Sequence, residues 1–248
     1  MKRIEIMGCP MDVATMNDTV NSIDKLISKD QFTQHVVVNV AKLVNMQSNQ
    51  ELNTSVRECD IINIDGMGIV LGARILGFNI PERIAGIDLF LELITMSSKR
   101  NYSIYLLGSK EEVVKETATK LSLLHPNLKI AGFHHGYFWE NEKKVVEKIH
   151  ASGAKLLFVA ITSPKKENFI SRWKEKLGVT FVMGVGGTFD VVSGKVKRAP
   201  LWMQKYGLEW FFRVLQEPKR MWKRYLVTNT KFISLVLKYK FINKSKLD

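Results

Sequence analysis

The chain is expected to fold as an α/β protein, a layered sheet of largely parallel strands with helices on its faces. Three observations point there. Short apolar runs alternate with longer segments of helical periodicity. Most of the runs are continuous, as in strands buried on both faces, and do not alternate apolar with polar. Apolar residues make up 46% of the 248, enough for one substantial core. Alternating β and α segments further imply right-handed crossovers between parallel strands.

The strand candidates, in order, are VVVN (36–39), DIINI (60–64), YSIYLLG (102–108), LKIAGF (128–133), KLLFVAI (155–161) and VTFVMGV (179–185). Helical spacing fills the gaps. Residues 41–57 place Leu43, Val44, Met46 and Leu52 on one side, and 110–124 do so with Val113, Val114, Ala118, Leu121 and Leu124. Residues 141–152 and 165–177 behave alike. No repeat or low-complexity linker interrupts the pattern, so one Rossmann-like domain is expected over 1–195.

Residues 196–248 form a different segment. Two amphipathic helices are predicted, over 203–225 and 230–242, with Pro218 ending or kinking the first. Residues 195–248 hold 14 Lys and Arg against 3 Asp and Glu, whereas 1–194 hold 23 against 21. The net charge of +13 thus sits almost wholly in the tail. Trp202, Trp210, Phe211, Phe212, Trp222 and Tyr225 are interleaved with Arg213, Lys219, Arg220, Lys223 and Arg224. On a continuous helix Arg213, Arg220 and Arg224 would share a face. This composition suits the headgroup layer of an anionic bilayer; the competing reading is a basic helix packed on the domain. No apolar run approaches the roughly 18–20 residues of a membrane span, and the N-terminus does not read as a secretory signal. Cys9 and Cys59 lack metal or redox spacing and are expected to be idle thiols in a reducing compartment.

Ligands of open α/β sheets bind beyond the carboxyl ends of the strands. Here those positions carry Asn39, Asp65-Gly66, Gly108-Ser109, His134-His135-Gly136-Tyr137, Thr162-Ser163-Pro164 and Gly184 to Asp190. The run GVGGTFD lets backbone N–H groups approach a phosphate, but it is neither GxGxxG nor a Walker A loop. Asp65 is a carboxylate at a strand end that suits a general base; the alternative is a helix cap or turn residue. His134 and His135 are adjacent and expected to point apart, so no metal pair is expected. No GxSxG or Cys/His arrangement supports a hydrolase.

The segments INIDGMGIV (62–70), PERIAGIDL (81–89), IYLLGS (104–109), GYF (136–138), TSPKKE (162–167), MGVGGTFDVVSGKVKRAP (183–200) and GLEWFFRVLQEPKRMWKRY (207–225) together resemble the WecG/TagA/CpsF family of bacterial glycosyltransferases. The resemblance covers nearly the whole chain. It implies a metal-independent, inverting enzyme that moves a sugar from a UDP-sugar to a polyprenyl-diphosphate-linked saccharide in cell-surface polysaccharide assembly. The donor sugar it implies is N-acetylmannosamine or its uronic acid; a UDP-glucose-type donor is the alternative. It also implies attachment to the cytoplasmic face of the cell membrane, and a homo-oligomer is left open.

By the same resemblance Asp65 is the base, Asn39 orients donor or acceptor, and Arg213, Arg220 and Arg224 engage the lipid diphosphate. From position, Arg83 would offset charge on the leaving UDP, and Gly108, Gly184, Gly186 and Gly187 would face the donor. Asp190 would bond a ribose or sugar hydroxyl, and Tyr137 would contact the uridine. Two positions depart from the family pattern. Val37 stands where many members have threonine, and Lys166 stands where many have glutamine, in the donor-binding region. A nucleic-acid-binding protein or a non-catalytic membrane scaffold are the contrasting classes. Against the first, the tail carries no recognised RNA or DNA module; against the second, Asp65 and the glycine cluster are intact.

Overall fold

An N-terminal hairpin, not anticipated from the sequence, opens the chain. Strands β1 (Lys2–Ile6) and β2 (Cys9–Val13) pair antiparallel. Met7 and Gly8 join them, both with positive φ, as a tight hairpin turn demands. The strands are short and polar residues break them, which hid them from a search for apolar runs. The structure is a computed structural model described for residues 1–244; the side chains of Arg220 and of 242–244 lie outside the described residues.

Helix α1 (Met16–Ser28) follows, its start held by a capping box between Thr15 and Asp18. All six predicted strands are present: β3 (Thr33–Val38), β4 (Ile61–Ile64), β5 (Ser103–Gly108), β6 (Lys129–His134), β7 (Leu156–Ala160) and β8 (Phe181–Gly184). They form one parallel sheet in the order β4-β3-β8-β7-β5-β6. The chain winds outward through β3 and β4 on one side and through β5 and β6 on the other. Strands β7 and β8 fill the middle.

Between β3 and β4 the predicted single helix is two, α2 (Val40–Met46) and α3 (Gln50–Arg57). The side chains of Asn39 and Asn49 each accept a backbone N–H at a new helix start, and this capping divides the segment. Helices α4 (Met67–Ile75) and α5 (Gly86–Arg100) precede β5. Then come α6 (Glu111–Leu124), α7 (Glu142–Ala151), α8 (Lys165–Trp173) and the short α9 (Thr188–Val192).

Both faces of the sheet are covered, as the continuous apolar runs required, except along the edge strand β6, where no residue is buried and Phe133 is exposed. On one face Ile104, Leu106, Phe158 and Phe181 meet residues of α1, α5 and α6, with Phe90 edge-on to Phe158. On the other, Leu107, Leu157 and Val182 pack under α7 and α8, and Val36, Val38, Ile62 and Ile64 under α2, α4 and the hairpin.

The tail folds as α10 (Leu201–Lys205), α11 (Glu209–Gln216) and α12 (Pro218–Lys244). Pro218 opens α12, where its missing N–H costs nothing, and the two predicted helices are redrawn around it. Arg213 therefore lies on α11 while Arg220 and Arg224 lie on α12, so the three do not share one continuous helix face. Trp210 and Tyr225, with ring centroids 5.7 Å apart, hold α11 against α12. Phe232 and Val236 of α12 are buried in the apolar cluster that includes Ile6, Val38 and Ile64. Gly72 of α4 makes this possible: a Cβ there would lie 2.7 Å from the Phe232 ring. No described helix is long and apolar enough to cross a membrane.

Candidate active site

Asp65 lies just past β4, with its N–H bonded to the carbonyl of Val38 at the end of β3. Gly66, with φ +97°, turns the chain sharply into α4, so Gly66 and not Asp65 occupies the cap position. The Asp65 carboxylate is 24% exposed: enclosed but reachable from solvent. It accepts a hydrogen bond from the N–H of Gly86, the first residue of α5, where the helix dipole favours negative charge. Burial nevertheless raises its pKa above the ordinary carboxylate value, and Glu209 adds to the rise, while Arg83 and Arg213 oppose it. A carboxylate held this way is a stronger proton acceptor than an ordinary one.

Arg83 Nη1 stands 4.0 Å from Asp65 Oδ1 and 2.5 Å from Glu209 Oε2. Glu209, on α11, also lies 3.5 Å from Arg198 Nε, and Arg198 makes a bidentate pair with Asp88 of α5 at 2.6 and 2.8 Å. The tail is thus joined to the Asp65 corner by a chain of charges running Asp65, Arg83, Glu209, Arg198, Asp88. Arg213 is near enough to Asp65 to stabilise its charge. Arg224 is exposed on α12. The side chain of Arg220 lies outside the described residues.

Asn39 borders this corner: a Cβ on Gly66 would lie 4.0 Å from the Asn39 Cβ. Its Oδ1 caps α2 through the N–H of Lys42, 3.0 Å away. Lys42, Lys166 and Glu167 form a buried cluster beneath. Lys42 Nζ lies 2.9 Å and Lys166 Nζ 3.7 Å from Glu167 Oε1, with the three side chains 6%, 8% and 3% exposed. Despite its burial, the two ammonium groups hold the Glu167 pKa down at about 2. Lys166 runs directly under Gly184.

The remaining predicted residues gather farther along the rim. Gly108 has φ +127°, and a Cβ there would strike the Ala160 carbonyl at 2.4 Å, so only glycine fits. Gly136 donates its N–H to the Ser109 carbonyl at 2.8 Å. Ser109 Oγ lies 3.5 Å from Asp190 Oδ1, joining the ends of β5 and β8. Tyr137 is 68% exposed beside them. Val37 packs its methyl groups against Gly86. The rings of His134 and His135 do not point apart as expected: their centroids are 4.4 Å apart. The His134 Nδ1 engages its neighbour's carbonyl, and His135 Nδ1 accepts the N–H of Tyr137. Among the described residues no group of three His, Cys, Asp or Glu side chains is arranged to hold a metal ion.

Sequence reasoning missed Lys42, Glu167, Arg198 and Glu209. The last three stand inside motifs already singled out, and Lys42 is three residues past Asn39. Charged residues outside the strands usually face water, so only their tertiary partners bring these four to the candidate site.

A sequence model of the glycosyl transferase WecG/TagA/CpsF family matches residues 4–246. A protein of Bacillus subtilis (strain 168) named N-acetylglucosaminyldiphosphoundecaprenol N-acetyl-beta-D-mannosaminyltransferase is 40% identical over 174 residues, 70% of this chain and 67% of that protein. A protein of the same name from Bacillus spizizenii is 34% identical over 191 residues, 77% of this chain and 73% of that protein.

Proposed function

Because this chain belongs to the glycosyl transferase WecG/TagA/CpsF family, we propose that it transfers N-acetylmannosamine from its UDP-linked form to N-acetylglucosamine carried on a polyprenyl diphosphate. The acceptor and sugar follow the names of its two Bacillus relatives. The observation that carries the reading is the Asp65 corner: an enclosed carboxylate of raised pKa, an arginine 4.0 Å away, and a tail helix closing over both.

The donor lies along the strand-end rim, its diphosphate toward the glycine turn of residues 184–187 and its uridine toward Ser109, Tyr137 and Asp190. Asp65 takes the proton of the acceptor hydroxyl as that oxygen forms its bond to C1 of the donor sugar. The bond from C1 to the phosphate oxygen breaks on the opposite face, which inverts the anomeric centre and releases UDP. Charge growing on the leaving diphosphate is met by Arg83, preorganised in a partly dry site and needing no resident metal. Asn39, whose Oδ1 caps α2 beside the Asp65 corner, orients donor or acceptor.

Arg213, Arg220 and Arg224 bind the acceptor's diphosphate, where guanidinium groups make strong paired hydrogen bonds. The tail rests on the inner leaflet of the cell membrane. One face of α12 packs on the body, whereas Trp202, Tyr206, Trp210, Phe211, Trp222 and Leu226 are exposed among the lysines and arginines. That arrangement suits an interface between lipid and water.

The test is a transfer assay with the full chain, a short-chain polyprenyl diphosphate bearing N-acetylglucosamine, and a panel of UDP-sugars. UDP-N-acetylmannosamine should give a disaccharide lipid and an equal amount of UDP. A product formed only from UDP-glucose would overturn the donor assignment, and no product from any donor would overturn the reaction.

A further inference from the structure

Lys166 has more positive charge around it than its surroundings neutralise. Its side chain is 8% exposed, and the carboxylate nearest to it, Glu167, is closer to Lys42. Two buried ammonium groups therefore share one carboxylate, and Lys42 holds the shorter contact. The other charge facing Lys166 is Asp65, which is engaged by Arg83. A buried cation without a full partner is costly, so an anion delivered to it is bound strongly.

The path of the side chain says where that anion would sit. A Cβ on Gly184 would lie 2.7 Å from Lys166 Cε and 3.6 Å from Nζ, and one on Gly186 would lie 3.9 Å from Nζ. The two glycines leave room for this ammonium to rise into the crook of the 184–187 turn. Gly186 has φ +56°, and the N–H groups of Gly186 and Gly187 donate to no protein acceptor among the described residues. Lys166 Nζ and the open amide of Gly186 thus border the same small space; the open amide of Gly187 follows along the turn, with Asp190 Oδ2 3.8 Å from the Gly187 Cβ position.

We propose that Lys166, with the amides of Gly186 and Gly187, forms an anion subsite that holds a negatively charged oxygen of the nucleotide-sugar donor. The proposal rests on the donor reading above and deepens it by assigning what Lys166 recognises. The oxygen belongs either to the diphosphate or to a carboxylate on the donor sugar, and the two sources separate by experiment. Burial and the neighbouring Lys42 lower the Lys166 pKa to about 8. The subsite is therefore charged at neutral pH and loses its charge in mildly basic solution, where Glu167 remains ionised.

The test is calorimetric binding to the full chain and to its Lys166→Met and Lys166→Gln variants. The probes are uridine, UDP, UDP-N-acetylmannosamine and the corresponding UDP-uronic acid. Loss of a charge-assisted contact should weaken UDP and both UDP-sugars roughly 10- to 100-fold, with uridine unchanged. If only the uronic acid donor weakens, the subsite reads the sugar carboxylate. Wild-type affinity should fall between pH 7 and 9.5, and the variants should lose that dependence, which a purely structural lysine would not produce. Unchanged uridine binding and thermal midpoints establish that the variants fold. Equal affinities and equal pH dependence in wild type and variants would overturn the subsite while leaving the transfer reaction standing. A wild-type chain that binds no UDP at all would overturn the donor reading as well.

Discussion

Replacement of Asp65 by asparagine separates its charge from its shape. The amide keeps an oxygen for the Gly86 N–H and fits the same space beside Arg83, so the corner stays built. What is lost is the group that accepts the acceptor's proton. General-base removal lowers rates by roughly 10²–10⁴, which corresponds to about 3–5 kcal/mol of barrier. The loss should appear in kcat, with donor KM little changed, because Asp65 acts on the acceptor oxygen in the transition state. Stability supplies an independent sign. The folded-state pKa of Asp65 lies above its unfolded value, so the folded protein holds this proton more tightly in the window between the two. Stability therefore falls as pH rises through that window, and above it the ionised carboxylate weighs against the fold. Asp65→Asn should leave the neutral-pH melting temperature equal or higher while removing the acid limb of the pH–rate profile. Near wild-type turnover, or an acid limb that survives the substitution, would refute the assignment of Asp65 as base.

Glu209→Gln should move the acid limb of kcat/KM to lower pH, because Glu209 raises the Asp65 pKa from across Arg83; a limb that stays in place would show the two carboxylates to be uncoupled. Gly72→Leu drives a side chain into Phe232 and Val236, 2.7 and 3.2 Å from the Cβ position, and forces α12 from its seat. Overpacking of this kind costs about 1–3 kcal/mol. It should lower the melting temperature and transfer to the lipid acceptor together while leaving UDP affinity intact, since the residue lies outside the donor cleft. Loss of UDP binding in a folded Gly72→Leu protein would place α12 in the donor site instead.

Periodicity and burial made the sheet legible. A strand covered on both faces is mostly apolar, so 36–38, 61–64 and 156–160 announce themselves, and their chain order leaves little freedom in the connections; the buried Asn63 within 61–64 is matched by His35 on the neighbouring strand, 2.8 Å away. The rim of the sheet was legible for the same reason, because a strand's end can be read wherever its apolar run stops. Hence Asp65, Gly108 and Gly184 could be named from the sequence, along with the family that their motifs resemble.

The antiparallel hairpin was not legible, since its register depends on pairing with a second short strand and not on an apolar run of its own. The split of 41–57 into two helices turned on the capping of Asn39 and Asn49, a local choice that helical spacing alone does not reveal. In the tail, Pro218 could end a helix or begin one. Only packing decided that α12 runs unbroken past residue 225, because Phe232 and Val236 needed the groove above Gly72.

Charge pairing was the part that sequence could least supply. Ion pairs join residues far apart in the chain, Arg83 to Glu209 and Arg198 to Asp88, and a lysine in a helix looks solvated until its neighbours are in place. The sequence by itself determined the layers, the rim and the base candidate. The tertiary structure decided which charges are partnered, and it left Lys166 buried beside a carboxylate already held by Lys42.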